Sequence, residues 1–214
     1  MEFIEKALLE YAEDHTSPEI SLLKELNRDT YTNVLAPRML SGHLQGRLLS
    51  LFSKLTRPKA ILEIGTYTGY SALCLAEGLT TDGVLHTIDI NEELETRITA
   101  YFNQSPFADQ LHFHIGNALD IVPTLDEKFD LVFIDADKEN YSAYYKLIID
   151  RLPSGALVLA DNVLWSGKVL DKEACKHDLD TQALDAFNNL VQADDRVENI
   201  LLPVRDGIMV VRKK

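Results

Sequence analysis

The chain has 214 residues, 46% hydrophobic and 26% charged, enough for one substantial core and short for two. Its 21 Lys and Arg against 34 Asp and Glu give a net charge of -13, a field that repels nucleic acid and anionic membrane surfaces and points to a small-molecule partner. No run approaches the roughly 20 apolar residues of a membrane-spanning helix, and the opening MEFIEKALLEYAED carries acids where a secretory leader carries bases, so the expected location is cytoplasmic.

The first 55 or so residues hold no good strand. In SPEISLLKELNRDTYTNV, Ser17 is placed to cap a helix with Pro18 at its first position, and Ile20, Leu23 and Leu26 recur at helical spacing. A second helix runs through SGHLQGRLLSLFSKL, with Leu44, Leu48, Leu49, Leu51, Phe52 and Leu55 as its apolar stripe. From Lys59 the rhythm changes. Strand-like runs at 60 to 64, 84 to 89, 111 to 115, 129 to 135 and 156 to 161 alternate with helical stretches, which predicts βαβ units and a parallel sheet covered by helices on both faces. A last helix around DTQALDAFNNLVQ leads to VENILLPV and GIMVVRKK, joined by Arg205, Asp206 and Gly207. That turn is too short for a helical crossover, so the final two strands should pair antiparallel. Cys74 and Cys175 lie far apart without a C-x-x-C pair and read as reduced thiols. The expected domain is a single one, with a helical extension over 1–57 and an α/β core over 58–214.

Ligands of open α/β sheets bind at the carboxyl ends of the strands, where strand order reverses. The first such end reads LEIGTYTGYSAL, with Gly65 and Gly69 four apart between a strand and a helix. A dinucleotide fingerprint needs a middle glycine that residues 66 to 68 lack, so a ligand with adenosine but no pyrophosphate suits the turn better. Glu63 would repel pyrophosphate and can accept bonds from an ammonium group. Asp89, twenty residues after Gly69, stands where an acid grips ribose hydroxyls. Asn117 and the Ala118 backbone can face an adenine edge, and Ser71 can add a hydroxyl contact. Singly, each of these residues reads as an ordinary loop or cap position, and the ordered set carries the inference.

Strand four runs into IDADKENY and strand five into ADNVLWSGKV. Neighbouring parallel strands lie ~4.8 Å apart, so Asp135 and Asp161 should converge. Two carboxylates repel unless a cation sits between them. With the amide oxygen of Asn162 they make a hard oxygen set of the kind Mg²⁺ prefers, leaving about three of six octahedral positions for water or substrate, and a vicinal diol can fill two. Helix capping is the bland alternative for both acids. Lys138, three residues after Asp135, can share its side and take a hydroxyl proton, or pair with Asp137 or Glu139 as a surface lysine. Met39, Tyr141 and Trp165 are candidates for an acceptor wall, or for core packing. His43, His86, His112 and His114 show no ligand spacing and read as structural.

Taken together, LEIGTYTGYSAL, IDI at 88 to 90, GNALD, FDLVFIDADKENY, DNVLWSGKV and LPVRDGIMVV resemble the cation-dependent O-methyltransferases, the family of the catechol and caffeoyl-coenzyme A enzymes. The resemblance runs from about Ser17 to the C-terminus. It implies a Rossmann-like S-adenosylmethionine methyltransferase fold, with a seven-stranded mostly parallel sheet, its last strand pair antiparallel, and N-terminal helices. It further implies donor contacts at Ser41, Glu63, Gly65, Thr66, Ser71, Asp89, Ala118 and Asp135, a metal triad of Asp135, Asp161 and Asn162 for Mg²⁺ (or Mn²⁺ or Ca²⁺), a catalytic Lys138, and a homodimer. The SGHLQG stretch has no dense basic cluster for a coenzyme A tail, which favours a small catechol-like acceptor. The rival readings are an NAD-linked reductase, which shares the sheet but leaves the Asp135, Asp161 and Asn162 set unexplained, and a binding module that holds the donor without catalysis.

Overall fold

Strands at the centre of a parallel sheet are covered on both faces, so their residues cannot alternate between apolar and polar. The runs at Ala60–Ile64 (β1) and Leu131–Ile134 (β4) obey this and are buried at every position. In the computed structural model, which describes residues 4–214, they pair with each other at the middle of the sheet. Val84–Asp89 (β2) and Leu111–Ile115 (β3) extend it on one side, and Leu157–Ala160 (β5), Val197–Leu202 (β6) and Ile208–Lys213 (β7) on the other, in the order β3-β2-β1-β4-β5-β7-β6. The first five strands are mutually parallel. β7 runs antiparallel between β5 and β6, so the last strand pair is antiparallel as expected, and its second member slots inside the first. Strand order reverses between β1 and β4, which puts a crevice at their carboxyl ends.

Helices Tyr70–Ala76 (α4) and Glu95–Gln104 (α5) contribute to the apolar cluster on one face, around Ile61, Leu85 and Phe133. Ala118–Ile121 (α6), Tyr141–Ile149 (α7) and Leu179–Gln192 (α9) contribute to the other, around Leu62, Val132 and Val158; the short Ala174–His177 (α8) precedes α9. The N-terminal segment forms Lys6–Asp14 (α1), Ser21–Asn33 (α2) and Gly42–Thr56 (α3). Leu23, Leu26 and Leu49 from this segment join the first of the two clusters. No helix among the described residues is long and apolar enough to cross a membrane.

Two local expectations are corrected. Helix α2 begins at Ser21, not at Pro18, and Ser17 does not cap it. Glu19 instead accepts a hydrogen bond from the Tyr70 hydroxyl, and the fully buried Leu23 and Leu26 dock the helix by packing that overrides the local start signal. In α3 the buried face is Gln45, Gly46, Leu49, Ser50 and Ser53, whereas Leu51 and Leu55 of the apolar stripe are 54% and 72% exposed. The small inward residues serve close approach to α4. A Cβ at Gly46 would lie 2.7 Å from Tyr70 Cε1 and 2.9 Å from Cys74 Sγ.

Candidate active site

The crevice at the β1/β4 switch opens into a cleft of about 1270 Å³, large enough for a nucleoside-sized ligand and a second small molecule together. At one end, the chain leaving β1 turns through Gly65 (φ 101°) and Gly69 (φ 87°), left-handed conformations that favour glycine. Asp89, at the tip of β2, holds this turn. Its Oδ2 accepts from the Thr66 and Tyr67 N–H groups at 3.0 and 2.7 Å, and its Oδ1 from Asn91 N–H at 2.9 Å. Ser41, Ser71, Asn117 and Ala118 also line the cleft. Asn117 caps α6, its side chain accepting from Leu119 N–H at 2.9 Å.

Glu63 sits beneath this end rather than on its wall, fully buried in β1. One carboxylate oxygen accepts from the Thr87 hydroxyl, while the other, Oε1, is a buried atom without a hydrogen-bond partner among the described residues. Burial pushes the carboxyl up to about 8, against the pull of the Thr87 and Ser71 hydroxyls and with a further push from Asp135 and Asp89. An orphaned carboxylate oxygen below a donor-sized pocket is the complement of an ammonium group.

The other end is built by β4 and β5. Their register pairs Ile134 with Ala160, so Asp135 and Asp161 leave the sheet side by side. Burial first and the Asp161 charge second push Asp135 up to about 6, opposed by Lys138 and Arg205. A short 3₁₀ turn over Lys138–Asn140 carries Lys138 back over Asp135, with Nζ 3.1 Å from Asp135 Oδ1 and 2.7 Å from the Tyr141 hydroxyl. Lys138 is therefore buried and aimed into the cleft, not splayed towards Asp137 or Glu139. Asn162 follows Asp161 with φ 60°, a left-handed conformation asparagine tolerates, and its N–H donates to Asp161 Oδ1 at 2.8 Å. No group of three or more His, Cys, Asp or Glu side chains among the described residues is set for a metal ion. A cation here would rest on two carboxylates and one amide, and it would offset both the burial and the Asp161 charge that raise Asp135.

Of the expected wall residues, Met39 and Trp165 line the cleft, and the indole Nε1 of Trp165 is buried without a partner among the described residues. Tyr141 does not line it. It is fully buried beneath Lys138, its hydroxyl donating to the Asp161 carbonyl at 3.0 Å, and Tyr144, one helical turn on, lies on the wall instead. The histidines stand apart from the cleft lining. His86 Nδ1 meets His114 Nε2 at 2.9 Å and stacks on His112, and His43 bonds the Ser17 carbonyl at 2.8 Å. Two residues escaped the sequence reading. Gln45 of α3 donates to Asp161 Oδ2 at 2.7 Å, and Arg205 of the β6–β7 turn donates to Gln45 Oε1 at 2.8 Å.

A family model described as O-methyltransferase matches residues 13–214. The chain belongs to the O-methyltransferase family. It is 35% identical over 178 residues to caffeoyl-CoA O-methyltransferase 1 of Eucalyptus globulus, covering 79% of this chain and 72% of that one. Among solved structures, it is similar to the SAH-bound methyltransferase PaMTH1 of Podospora anserina, at 30% identity and TM-score 0.88 over 97% of this chain and 94% of that one. The O-methyltransferase of Bacillus cereus in complex with SAH matches at 29% identity and TM-score 0.89 over 97% of both chains. This family membership weighs against the reductase reading.

Proposed function

We propose that the protein is an S-adenosylmethionine-dependent, divalent-metal-dependent O-methyltransferase acting on a small catechol-like acceptor with two neighbouring hydroxyls. The observation that carries this reading is the convergence of Asp135, Lys138, Asp161 and Asn162 on one wall of the cleft that also holds the glycine turn and Asp89. Relatives solved with SAH bound support the donor.

At the donor end, Glu63 Oε1 receives the ammonium of the methionine moiety, Asp89 the ribose hydroxyls, and Ala118 N–H the adenine edge. Ser41, Gly65, Thr66, Ser71 and Asp135 complete the contacts. At the acceptor end, Asp135, Asp161 and Asn162 would hold Mg²⁺, or Mn²⁺ or Ca²⁺. A bound cation supplies Lewis acidity that lowers the pKa of an acceptor hydroxyl. Lys138, as the neutral amine, would take the hydroxyl proton while the oxygen attacks the sulfonium methyl carbon; the new C–O bond would form as the C–S bond breaks, its electron pair staying on sulfur. Tyr141 holds Nζ in place from below, and Met39 and Trp165 flank the acceptor ring. Fixing both reactants in line can contribute ~7–11 kcal/mol relative to a bimolecular encounter.

The helices before residue 57 and the α/β part work as one domain in this reading, supported by the cluster that Leu23, Leu26 and Leu49 share with β1 and β4. The exposed Leu51 and Leu55 on α3 suit a homodimer contact. A methyl-transfer screen with catechols, monophenols and coenzyme A thioesters tests the acceptor class. The reading expects turnover on catechols above monophenols. Turnover confined to thioesters would replace the acceptor, and donor binding without transfer to any class would leave a binding module.

A further inference from the structure

Gln45 is fully buried, and 160 residues separate it from Arg205, yet the two side chains meet beside Asp161. A guanidinium can only donate, so the Gln45 oxygen must face Arg205, and this orientation turns the amide nitrogen onto Asp161 Oδ2. Asp161 Oδ1 is held separately by the Asn162 N–H. Each oxygen of the carboxylate thus has one fixed donor, which sets the plane of the group and leaves each a further lone pair. Arg205 also donates to the carbonyls of Leu40 and Ser41. It does so from a left-handed backbone conformation, φ 51°, unusual for a long side chain. The neighbouring Asp206 clasps the loop after Asp161 by accepting from Leu164 and Ser166 N–H groups.

We propose that Gln45 and Arg205 are positioning residues, a relay that orients the Asp161 carboxylate for the divalent cation and couples the N-terminal helix to the acceptor end of the cleft. The inference rests on the metal reading above. Groups that orient a ligating carboxylate typically change metal affinity 10–100-fold when removed. A purely structural tie between α3 and the β6–β7 turn would instead weaken every function of the cleft together.

The test measures Mn²⁺ affinity by the paramagnetic resonance of the free ion and SAH affinity by calorimetry, on the full chain. Gln45→Leu, similar in size but without polar atoms, is expected to lose Mn²⁺ affinity 10–100-fold while SAH affinity stays within threefold. Arg205→Met should lose Mn²⁺ affinity more than Arg205→Lys, which can still donate to the Gln45 oxygen. If Gln45→Leu does not fold, the two Arg205 variants on the exterior turn decide alone. Wild-type Mn²⁺ affinity in folded Gln45→Leu, or equal affinities in the two Arg205 variants, would overturn the relay and leave the metal site standing. A wild-type protein that binds no Mn²⁺ would remove the metal reading and the relay with it.

Discussion

A Cβ placed on Gly65 would lie 2.1 Å from the carbonyl oxygen of Asp135 and 2.6 Å from its carbon. The glycine turn after β1 and the backbone of Asp135 are therefore in direct contact, and glycine is required at 65 both by φ and by this approach. Gly65→Ala should push the strand-four loop outward, costing roughly 2–5 kcal/mol of stability from strain and overpacking. Donor and metal affinity should fall together. Chemical denaturation with SAH and Mn²⁺ titrations checks this, and a variant that loses only one of the two affinities would contradict it.

Lys138 Nζ sits between Asp135 and the Tyr141 hydroxyl. Lys138→Ala should reduce kcat by about 10²–10⁴-fold, the usual worth of a positioned acid or base, with SAH affinity nearly unchanged. Tyr141→Phe removes one bond to the lysine and should cost kcat up to roughly 10-fold, since a hydrogen bond contributes ~0.5–1.5 kcal/mol. Steady-state kinetics on a catechol separates these effects, and unaltered kcat in Lys138→Ala would return that residue to a structural role.

Glu63, raised to about 8 by burial, is largely protonated at neutral pH in the free protein. Because the folded carboxyl titrates above its unfolded value of 4.5, the stability that Glu63 itself contributes is full below 4.5 and is lost as pH rises towards 8. An ammonium delivered to Oε1 favours the ionised form, so SAH binding near pH 7 should release up to one proton. Calorimetry with EDTA present, in buffers of different ionisation enthalpy, measures that release. Glu63→Gln should abolish it, and a wild-type binding enthalpy independent of buffer would place the ammonium elsewhere.

The sheet and the reactive strand ends were legible because both follow from local pattern. Apolar runs such as AILEI and LVFI announce buried parallel strands, and register then carries Asp135 and Asp161 to neighbouring exits. What stayed hidden depends on tertiary packing. Tyr141 has the spacing of a wall residue, but the 3₁₀ turn before α7 rotates it under the site and presents Tyr144. The stripe on α3 signalled an inward face, yet close approach to α4 selects Gly46, Ser50 and Ser53 for that face instead. Arg205 reads in LPVRDGIMVV only as a turn residue and Gln45 carries no local signal; the placement of β7 between β5 and β6 is what brings the Arg205 turn to Gln45 and Asp161.

The central claim is that a cation held by Asp135, Asp161 and Asn162 activates an acceptor hydroxyl beside the methyl donor. Transfer of a labelled methyl group from S-adenosylmethionine to a catechol, followed with EDTA and then with Mg²⁺ or Mn²⁺ added back, tests it most directly. Transfer is expected to stop under chelation and to return with the metal, and Asp161→Ala to be inactive throughout. Transfer that continues at the same rate in EDTA would contradict it.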